Sequence, residues 1–545
     1  MVTSFIPESA PFNEEQRAWL NGFFAGMMGI QPGGDAAAIA NAAGLSAGNL
    51  SGTLSGVATA EPEEQEDFPW HDDSLPIVDR MELAEGRPVE RRLMAAMAQL
   101  NCGSCGYLCQ TYSEAIASGE ETNLTLCSPG GKETSKMIKK ILKESETSEA
   151  SPAKGTNGSV ANGSAQTEFS RKNPYDAKLI ESRPLNQEGS AKDTRHIAID
   201  LGDSGIKYEV GDALGICPTN CGELVEGIVR TIGADTKLMI VAPDGTPKTL
   251  ANALCEDYCL KDPSDELLEL AISRVDDSEA KETLAQMLDE GVPEGFDVLD
   301  VLELAGDVPI SATEFVETLS PLNPRLYSIA SSQGIVGNQV HLTVGKVTYA
   351  RGERLRKGVA STLLADRLSP GQSLRVFIQP NHGGFTVPAD PAAPMIMVGP
   401  GTGIAPFRAF LQQRAFLQQR QASKALGKNW LFFGDQHAAT DFLYEEELKS
   451  YLDSGLLTRL DTAFSRDGDK KVYVQDRMRE NAFELWQWIE DGAYFYVCGD
   501  ASRMAVDVDR TLKSIAVTEG LLTEKAAEEF VANLAKTKRY VRDVY

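Results

Sequence analysis

The sequence contains no apolar run approaching the roughly 18 residues of a membrane-spanning helix. The patch at residues 23–30 is too short, and residues 1–16 carry no basic-then-apolar signal peptide. Positive charge is also scarce: 52 Lys and Arg face 79 Asp and Glu, a formal charge of −27 with a pI near 4.7. Such a surface repels nucleic acid and anionic lipid, and it suits either docking to a basic protein or plain solvation. The expectation is a cytoplasmic protein with no nucleic-acid or membrane partner. In that compartment the nine cysteines are thiols or metal ligands rather than disulfides.

At 545 residues, with 42% hydrophobic and 24% charged residues, the chain is globular and too long for a single core. Residues 13–30 read as one amphipathic helix, placing an N-terminal helix at 1–31. Gly, Ala, Ser and Glu then dominate, a linker at 32–66 that buries too little to fold.

A four-cysteine domain is expected at 67–143. A short helix at 89–100 leads into Cys102, Cys105, Cys109 and Cys127, with glycines between them and Pro129-Gly130-Gly131 after. Thiolates two residues apart grip one metal centre, and a remote Cys near a Pro closes the set. The pattern points to an iron–sulfur cluster, with a zinc knot on the same four residues as the alternative. Residues 144–170 read as a flexible tether rich in Ser, Glu, Gly and Asn.

From residue 171 to 390 the pattern is an antiparallel β-barrel, with strands at 196–201, 206–210, 325–329, 340–347 and 374–378. Helices at 224–232, 250–260, 266–275, 281–288, 298–304 and 314–319 interrupt it as an insert over about 221–320. Cys217, Cys221, Cys255 and Cys259 form two C-x3-C pairs there, which on a helix signify buried thiols more readily than a second cluster. Arg325-Leu326-Tyr327-Ser328 offers a guanidinium for a pyrophosphate, a ring to stack on a flavin and a hydroxyl for its edge. Gly358-Val359-Ala360-Ser361-Thr362 opens a helix at 363–368 and offers free N–H groups to a second pyrophosphate.

Residues 391–545 alternate strand and helix as a doubly wound parallel sheet does, with strands at 395–398, 430–433, 458–464 and 494–498 and helices such as 442–448 and 502–517. The stretch 394–410 organises this region: an apolar strand, then Gly399, Gly401 and Gly403, then a helix with Pro406 in its first turn. Glycines let a backbone approach a dinucleotide pyrophosphate, and the helix N-terminus attracts its charge, with Gly401 and Thr402 among the binding residues. Ser465, Arg466 and Lys471 at a strand end supply a hydroxyl and two cations for a ribose 2′-phosphate. The imperfect repeat at 410–414 and 416–420 reads as a helical extension without function.

These motifs, with K-N-W-L-F-F-G, D-F-L-Y, K-V-Y-V-Q-D, Y-V-C-G-D-A-S-R-M-A and the terminal R-Y-V-R-D-V-Y, resemble the flavoprotein subunits of NADPH-dependent assimilatory sulfite reductases over residues 171–545. More broadly they resemble the diflavin and ferredoxin–NADP reductase families. The resemblance implies FAD contacts at Thr249, Arg325, Tyr327, Ser328, Thr343, Gly345, Tyr349, Gly358, Val359, Ala360, Ser361 and Tyr545. It implies NADP contacts at Ser465, Arg466, Lys471, Tyr473, Gln475 and Asp507, and hydride-transfer roles for Ser328, Cys498 and Asp543. Those subunits begin with a flavodoxin-like FMN domain, whereas residues 1–166 show no flavodoxin phosphate loop, so no FMN is expected. The four-cysteine stretch resembles the small [4Fe–4S] domains of corrinoid iron–sulfur proteins and membrane reductase complexes, with three rather than four residues between Cys105 and Cys109.

The fold class is therefore multidomain, α+β and α/β: a small helical iron–sulfur domain, an FAD barrel with a helical insert, and a parallel-sheet NADP domain. The expected function passes electrons from NADPH through FAD and the cluster to the haem (beta) subunit of a sulfite reductase. Nitrate reductase, a ferredoxin or a flavodoxin are alternative acceptors. A further alternative makes the cysteine domain a zinc or assembly module, with electrons leaving FAD directly. Homo-oligomerisation is left open.

Overall fold

The computed structural model describes residues 68–70, 75–100, 103, 105–127, 129–148, 169–381, 383–420 and 426–545. The helix expected at 13–30 and the linker at 32–66 lie outside the described residues, as does the tether from 149 to 168. No helix among the described residues is long and apolar enough to cross a membrane.

The cysteine segment folds into helices α1 (Ile77–Leu83), α2 (Val89–Ala96), α3 (Cys109–Ala117) and α4 (Gly131–Ser148). Leu93, Met97, Tyr112, Ile116, Ile138 and Ile141 make its core. Helix α4 continues into the expected tether because Ile138 and Ile141 keep helical spacing into that core and Glu144 pairs with Arg92 at 2.7 Å.

The barrel strands are β1 (Tyr175–Pro184), β2 (Thr194–Asp200) and β3 (Ala213–Cys217). The insert follows: α5 (Gly222–Thr231), a hairpin of β4 (Met239–Val241) and β5 (Pro247–Thr249), α6 (Leu250–Glu256), α7 (Asp265–Arg274), α8 (Ser278–Glu290), α9 (Val298–Ala305) and α10 (Ala312–Glu317). Its helices start on side-chain caps: Thr249, Ser264, Asp277, Asp297 and Ser311 each accept a bond from the N–H three residues on. Leu250, Leu267, Leu284, Val301 and Phe315 fill a core separate from the barrel's. The barrel resumes with β6 (Arg325–Ser328), β7 (Gln339–Gly345), the hairpin β8 (Thr348–Arg351) and β9 (Arg354–Lys357), and β10 (Ser373–Gln379). Six strands form an antiparallel sheet in the order β6-β3-β10-β1-β2-β7, and a bridge between Ile329 and Leu342 closes it.

Three expectations are corrected here. Residues 206–210 form no strand. Ile206, Tyr208 and Val210 are buried in alternation, as a strand would be, yet the Gln333 side chain takes the ladder's place by bonding Tyr208 N and Ile206 O. The helix at 363–368 is a single π-helical turn, Leu363–Arg367. Neither C-x3-C pair lies on one helix: Cys217 ends β3 and Cys221 caps α5, while Cys255 is in α6 and Cys259 lies beyond its end. Burial raises the thiols of Cys217, Cys255 and Cys259, and no group of three or more metal-ligating side chains occurs among the described residues.

The last domain contains β11 (Met395–Val398), β12 (Asn429–Asp435), β13 (Arg459–Phe464), β14 (Tyr494–Gly499) and β15 (Tyr540–Val544), parallel throughout in the order β13-β12-β11-β14-β15. Ile396 and Val398 enter one core, Met395 and Met397 the opposite one, so both faces of the sheet are covered. The sequence pattern does not announce β15, because Arg542 and Asp543 break its apolar run.

The barrel docks on α11 (Ile404–Arg420). Ser332 donates from its N–H and hydroxyl to Gln412 and Gln413 at 3.0 and 2.7 Å, and a Cβ on Gly334 would lie 2.7 Å from the Phe416 ring. The repeat expected to be a bare helical extension is thus the docking face. Next to it the Tyr444 hydroxyl meets His196 Nδ1 at 3.1 Å and Thr343 Oγ1 at 2.8 Å, and the His341 ring lies 4.8 Å from that of His196. Burial, and then the Arg408 charge, lower His341 to about 4 and His196 to about 2.

Because both folded pKa values are depressed, the unfolded chain takes up protons that the folded seam refuses. Stability is whole above the unfolded pKa of about 6.5 and falls below it, by about 1.4 kcal/mol per pH unit per histidine until the folded pKa is reached. Melting curves from pH 7.5 to 5 should show a steeper loss for the wild type than for His341→Gln. Equal losses would mean that acid acts elsewhere.

Candidate active site

The parallel sheet reverses its strand order at β11, with β12 on one side and β14 on the other, and a crevice opens at such a reversal. A cavity of about 1070 Å3 occupies it, lined by Gly401, Thr402, Asp435, Ser465, Tyr473, Gln475 and Asp507 from the sheet domain, Gly345 from the barrel, and Tyr545. That is the upper end of the size of cofactor pockets, about 300–1,000 Å3.

Its floor is the glycine turn. Gly401 takes φ +57°, and a Cβ on Gly403 would lie 2.2 Å from the carbonyl oxygen of Cys498. The turn therefore presses on β14, leaving its backbone as the cavity surface before α11 begins. Sequence reasoning placed this turn but missed Lys192, Lys346, Asp500 and Arg503, which also line the cavity. Lys192 and Lys346 come from the barrel, so no local motif announces them. Asp435 was legible in principle, since it ends β12 where ligands of such sheets bind.

Ser328, Cys498 and Asp543 come together from two domains. Ser328 Oγ donates to Asp543 Oδ2 at 2.7 Å, and Cys498 Sγ lies 3.8 Å from the same oxygen. Cys498 and Asp543 face each other in the β14–β15 register. Burial raises the Asp543 carboxyl, against the two hydrogen bonds that lower it, and burial with the Asp543 charge pushes the thiol well up. Two residues on, the Tyr545 hydroxyl bonds Thr402 Oγ1 at 2.8 Å. The group can orient a ligand, exclude water and hold a proton at the carboxyl.

Of the residues expected to hold FAD, Tyr327 is half-buried, with desolvation raising its hydroxyl to about 12, and Arg325 donates to Asn323 O at 2.8 Å. The loop Gly358, Val359, Ala360 and Ser361 is locked: Ser361 Oγ accepts from Val347 N at 3.1 Å, Thr362 donates to Gly358 O at 2.8 Å, and Arg367 donates to Val359 O. Tyr349 is exposed on the β8–β9 hairpin. The Thr343 hydroxyl shares a hydrogen bond with that of Tyr444 and Thr249 caps α6; neither lines the cavity. On the nicotinamide side, Ser465 and Arg466 bond backbone-to-backbone with Asp435 and Gln436, each at 2.9 Å. Arg466 and Lys471 are exposed and follow or precede the cavity residues Ser465 and Tyr473 in sequence without lining the cavity themselves, and Gln475 bonds Asp507 at 3.4 Å.

Cys105, Cys109 and Cys127 share the small helical core, while Cys102 lies outside the described residues.

The FAD binding domain family matches residues 167–363, and the oxidoreductase NAD-binding domain family matches residues 397–510. The sulfite reductase (NADPH) flavoprotein alpha-component of Bacillus subtilis is 43% identical over 412 residues, 75% of this chain and 66% of that protein. Those of Aliivibrio fischeri and Vibrio cholerae are 44% identical over 406 and 414 residues, 74% and 75% of this chain and 66% and 65% of theirs. The chain spans just under two thirds of the length of these curated relatives.

If Asp543 acts on the reacting cofactors, Asp543→Asn should lower kcat for NADPH oxidation by about 100-fold or more while KM barely moves. Steady-state kinetics with ferricyanide as acceptor checks this. An unchanged kcat would remove Asp543 from the reaction.

Proposed function

The chain belongs to the family of FAD- and NAD-binding oxidoreductases that includes the sulfite reductase flavoprotein alpha-components, and on that premise we propose that it carries electrons from NADPH, through FAD and a metal centre on its cysteines, to a sulfite reductase haem subunit. The carrying observation is the convergence of Ser328, Cys498 and Asp543, from two domains, on one oxygen beside a cavity floored by the glycine turn. A dinucleotide fits that floor: no side chain intrudes at Gly401 or Gly403, and Lys192, Lys346 and Arg503 line the cavity, Lys192 paired with Asp435 and Lys346 with Asp193 and Asp366. FAD, when bound, accepts a hydride and releases its electrons singly.

The chain's own residues do the rest. Arg466 and Lys471, with Ser465, read a ribose 2′-phosphate by charge-assisted bonds, and Tyr473, Gln475 and Asp507 shape its surroundings. Arg325 and the Gly358–Ser361 loop take the flavin's pyrophosphate, with Tyr327 and Tyr545 against its ring system. Ser328 and Cys498 fix the Asp543 carboxyl where a proton is held close to the transfer. Cys102, Cys105, Cys109 and Cys127 hold an iron–sulfur centre, which supplies one-electron acceptance where the relatives' remaining third lies unmatched. One FAD, one such centre and no FMN per chain follow, in a cytoplasmic enzyme whose thiols stay reduced.

Acid-released flavin identified by chromatography, with iron and sulfide assays, tests the composition. Stoichiometric FMN, or zinc without sulfide, would favour the structural-module alternative. The Cys105→Ser variant should lose NADPH-driven sulfite reduction with an added haem subunit while ferricyanide reduction, which needs only the flavin, continues. Survival of both activities would place the centre off the electron path, and activity only with nitrate reductase or a ferredoxin would change the acceptor.

Arg466→Ala should raise KM for NADPH by roughly 10- to 150-fold, the loss of about 1.5–3 kcal/mol, and leave NADH nearly unchanged. An equal loss with both cofactors would assign Arg466 to the fold rather than to the 2′-phosphate.

A further inference from the structure

The loop between the first cysteines is seated on the strand that carries the flavin residues. Gly103 takes φ +66°, and a Cβ there would lie 2.7 Å from Leu326 Cβ. Gly106 takes φ +78°, and a Cβ there would lie 2.7 Å from Pro324 O and 2.8 Å from Arg171 Nη1. Only a loop without side chains at both points can approach β6 this closely. Leu326 stands between Arg325 and Tyr327, and strand side chains alternate, so the loop covers the face of β6 opposite those two residues. Nothing but the thickness of one strand separates the cysteine loop from the side chains read as flavin contacts.

Arg171 secures this seat. Its guanidinium stacks 3.8 Å over the Tyr107 ring, donates to Gly106 O, and donates to Asn323 Oδ1 at 2.6 Å. One side chain thus grips the loop on one side and the approach to β6 on the other. Three polar contacts join it, Asn123 Nδ2 to Ser320 Oγ at 3.2 Å, Lys132 Nζ to Asp289 O at 2.6 Å, and Lys172 with Glu120 at 2.9 Å, and one apolar side chain, Leu100, packs against the core of the parallel-sheet domain. Lys172 and Glu120 are exposed, and such pairs contribute about 0–1 kcal/mol. Interfaces of this polar kind within a chain are reversible. The barrel's seat on α11, with Phe416 against Gly334, is of the opposite kind.

We propose that the seat of the cysteine loop on β6 is the position in which this module receives electrons, and that Arg171 is the positioning residue that holds it there. The proposal rests on the reading of the four cysteines as a one-electron centre. For each NADPH oxidised to NADP+ and a proton, two electrons leave the flavin one at a time. Each is taken at the cysteine centre and passed to a one-electron haem acceptor before the next follows. A contact held by one arginine, a few polar pairs and the single apolar side chain Leu100 is small enough to close for the first transfer and open for the second.

Arg171 lines no part of the cavity, so its replacement separates docking from hydride transfer. In stopped-flow mixing of the full chain with NADPH, Arg171→Ala should leave flavin reduction at its wild-type rate. It should slow electron arrival at the cysteine centre roughly tenfold or more, the effect of losing two charge-assisted bonds and a cation–π contact. Arg171→Lys, which keeps a donor for Gly106 O, should restore part of that rate. Amide hydrogen exchange, which needs no turnover, should rise at residues 103–107 and 320–324 in the alanine variant and less in the lysine variant. Faster exchange with an unchanged transfer rate would make the seat merely structural and overturn the proposal, as would no change in either. A wild-type protein with no NADPH-reducible centre would overturn the electron path itself, whatever exchange reports about the seat.

Discussion

A hydrogen bond of 2.7 Å between Ser328 and Asp543 joins two domains and residues 215 apart in sequence, and much of the structure serves to hold it. Ser328 ends a barrel strand, and Asp543 lies in the last strand of the parallel sheet. For the two to meet, the barrel must sit on α11 through Ser332, Gln412 and Gln413, with the Tyr444 hydroxyl shared between His196 and Thr343. The glycine turn must also lie flat on β14, which Gly403 permits by leaving Cys498 O uncovered. A fault in any of these moves the carboxyl before it touches the chemistry.

The parts of this arrangement that were legible in sequence are those whose signal is local. Gly399, Gly401 and Gly403 directly follow an apolar run, so strand, turn and helix could be placed from one stretch. The insert helices were readable because their apolar spacing and their Thr, Ser and Asp caps agree. What failed was what depends on a distant partner. Residues 206–210 alternate like a strand, but Gln333 satisfies their backbone from 125 and 127 residues away. The repeat at 410–420 looks idle until the barrel is set against Gln412, Gln413 and Phe416. Lys192 and Lys346 reach the cavity from another domain, and β15 hides its apolar positions behind Arg542 and Asp543.

The two inter-module contacts differ in kind. Between barrel and parallel sheet the contact is buried, aromatic and histidine-lined, a joint that fixes geometry for a transfer demanding close orientation. Between the cysteine helices and the barrel it is smaller, centred on Arg171 and on the glycine loop against Leu326. Electron transfer tolerates looser geometry than hydride transfer, so a cysteine module acting as proposed would gain from a contact that opens.

The central claim is that electrons from NADPH cross FAD to a centre held by Cys102, Cys105, Cys109 and Cys127. Electron paramagnetic resonance of the anaerobic full-length protein, frozen after mixing with NADPH, addresses it most directly. The account predicts a low-temperature iron–sulfur signal of about one spin per bound flavin, lost when Cys127 is replaced by Ser. A flavin signal alone, with no iron–sulfur species at any NADPH concentration, would contradict it.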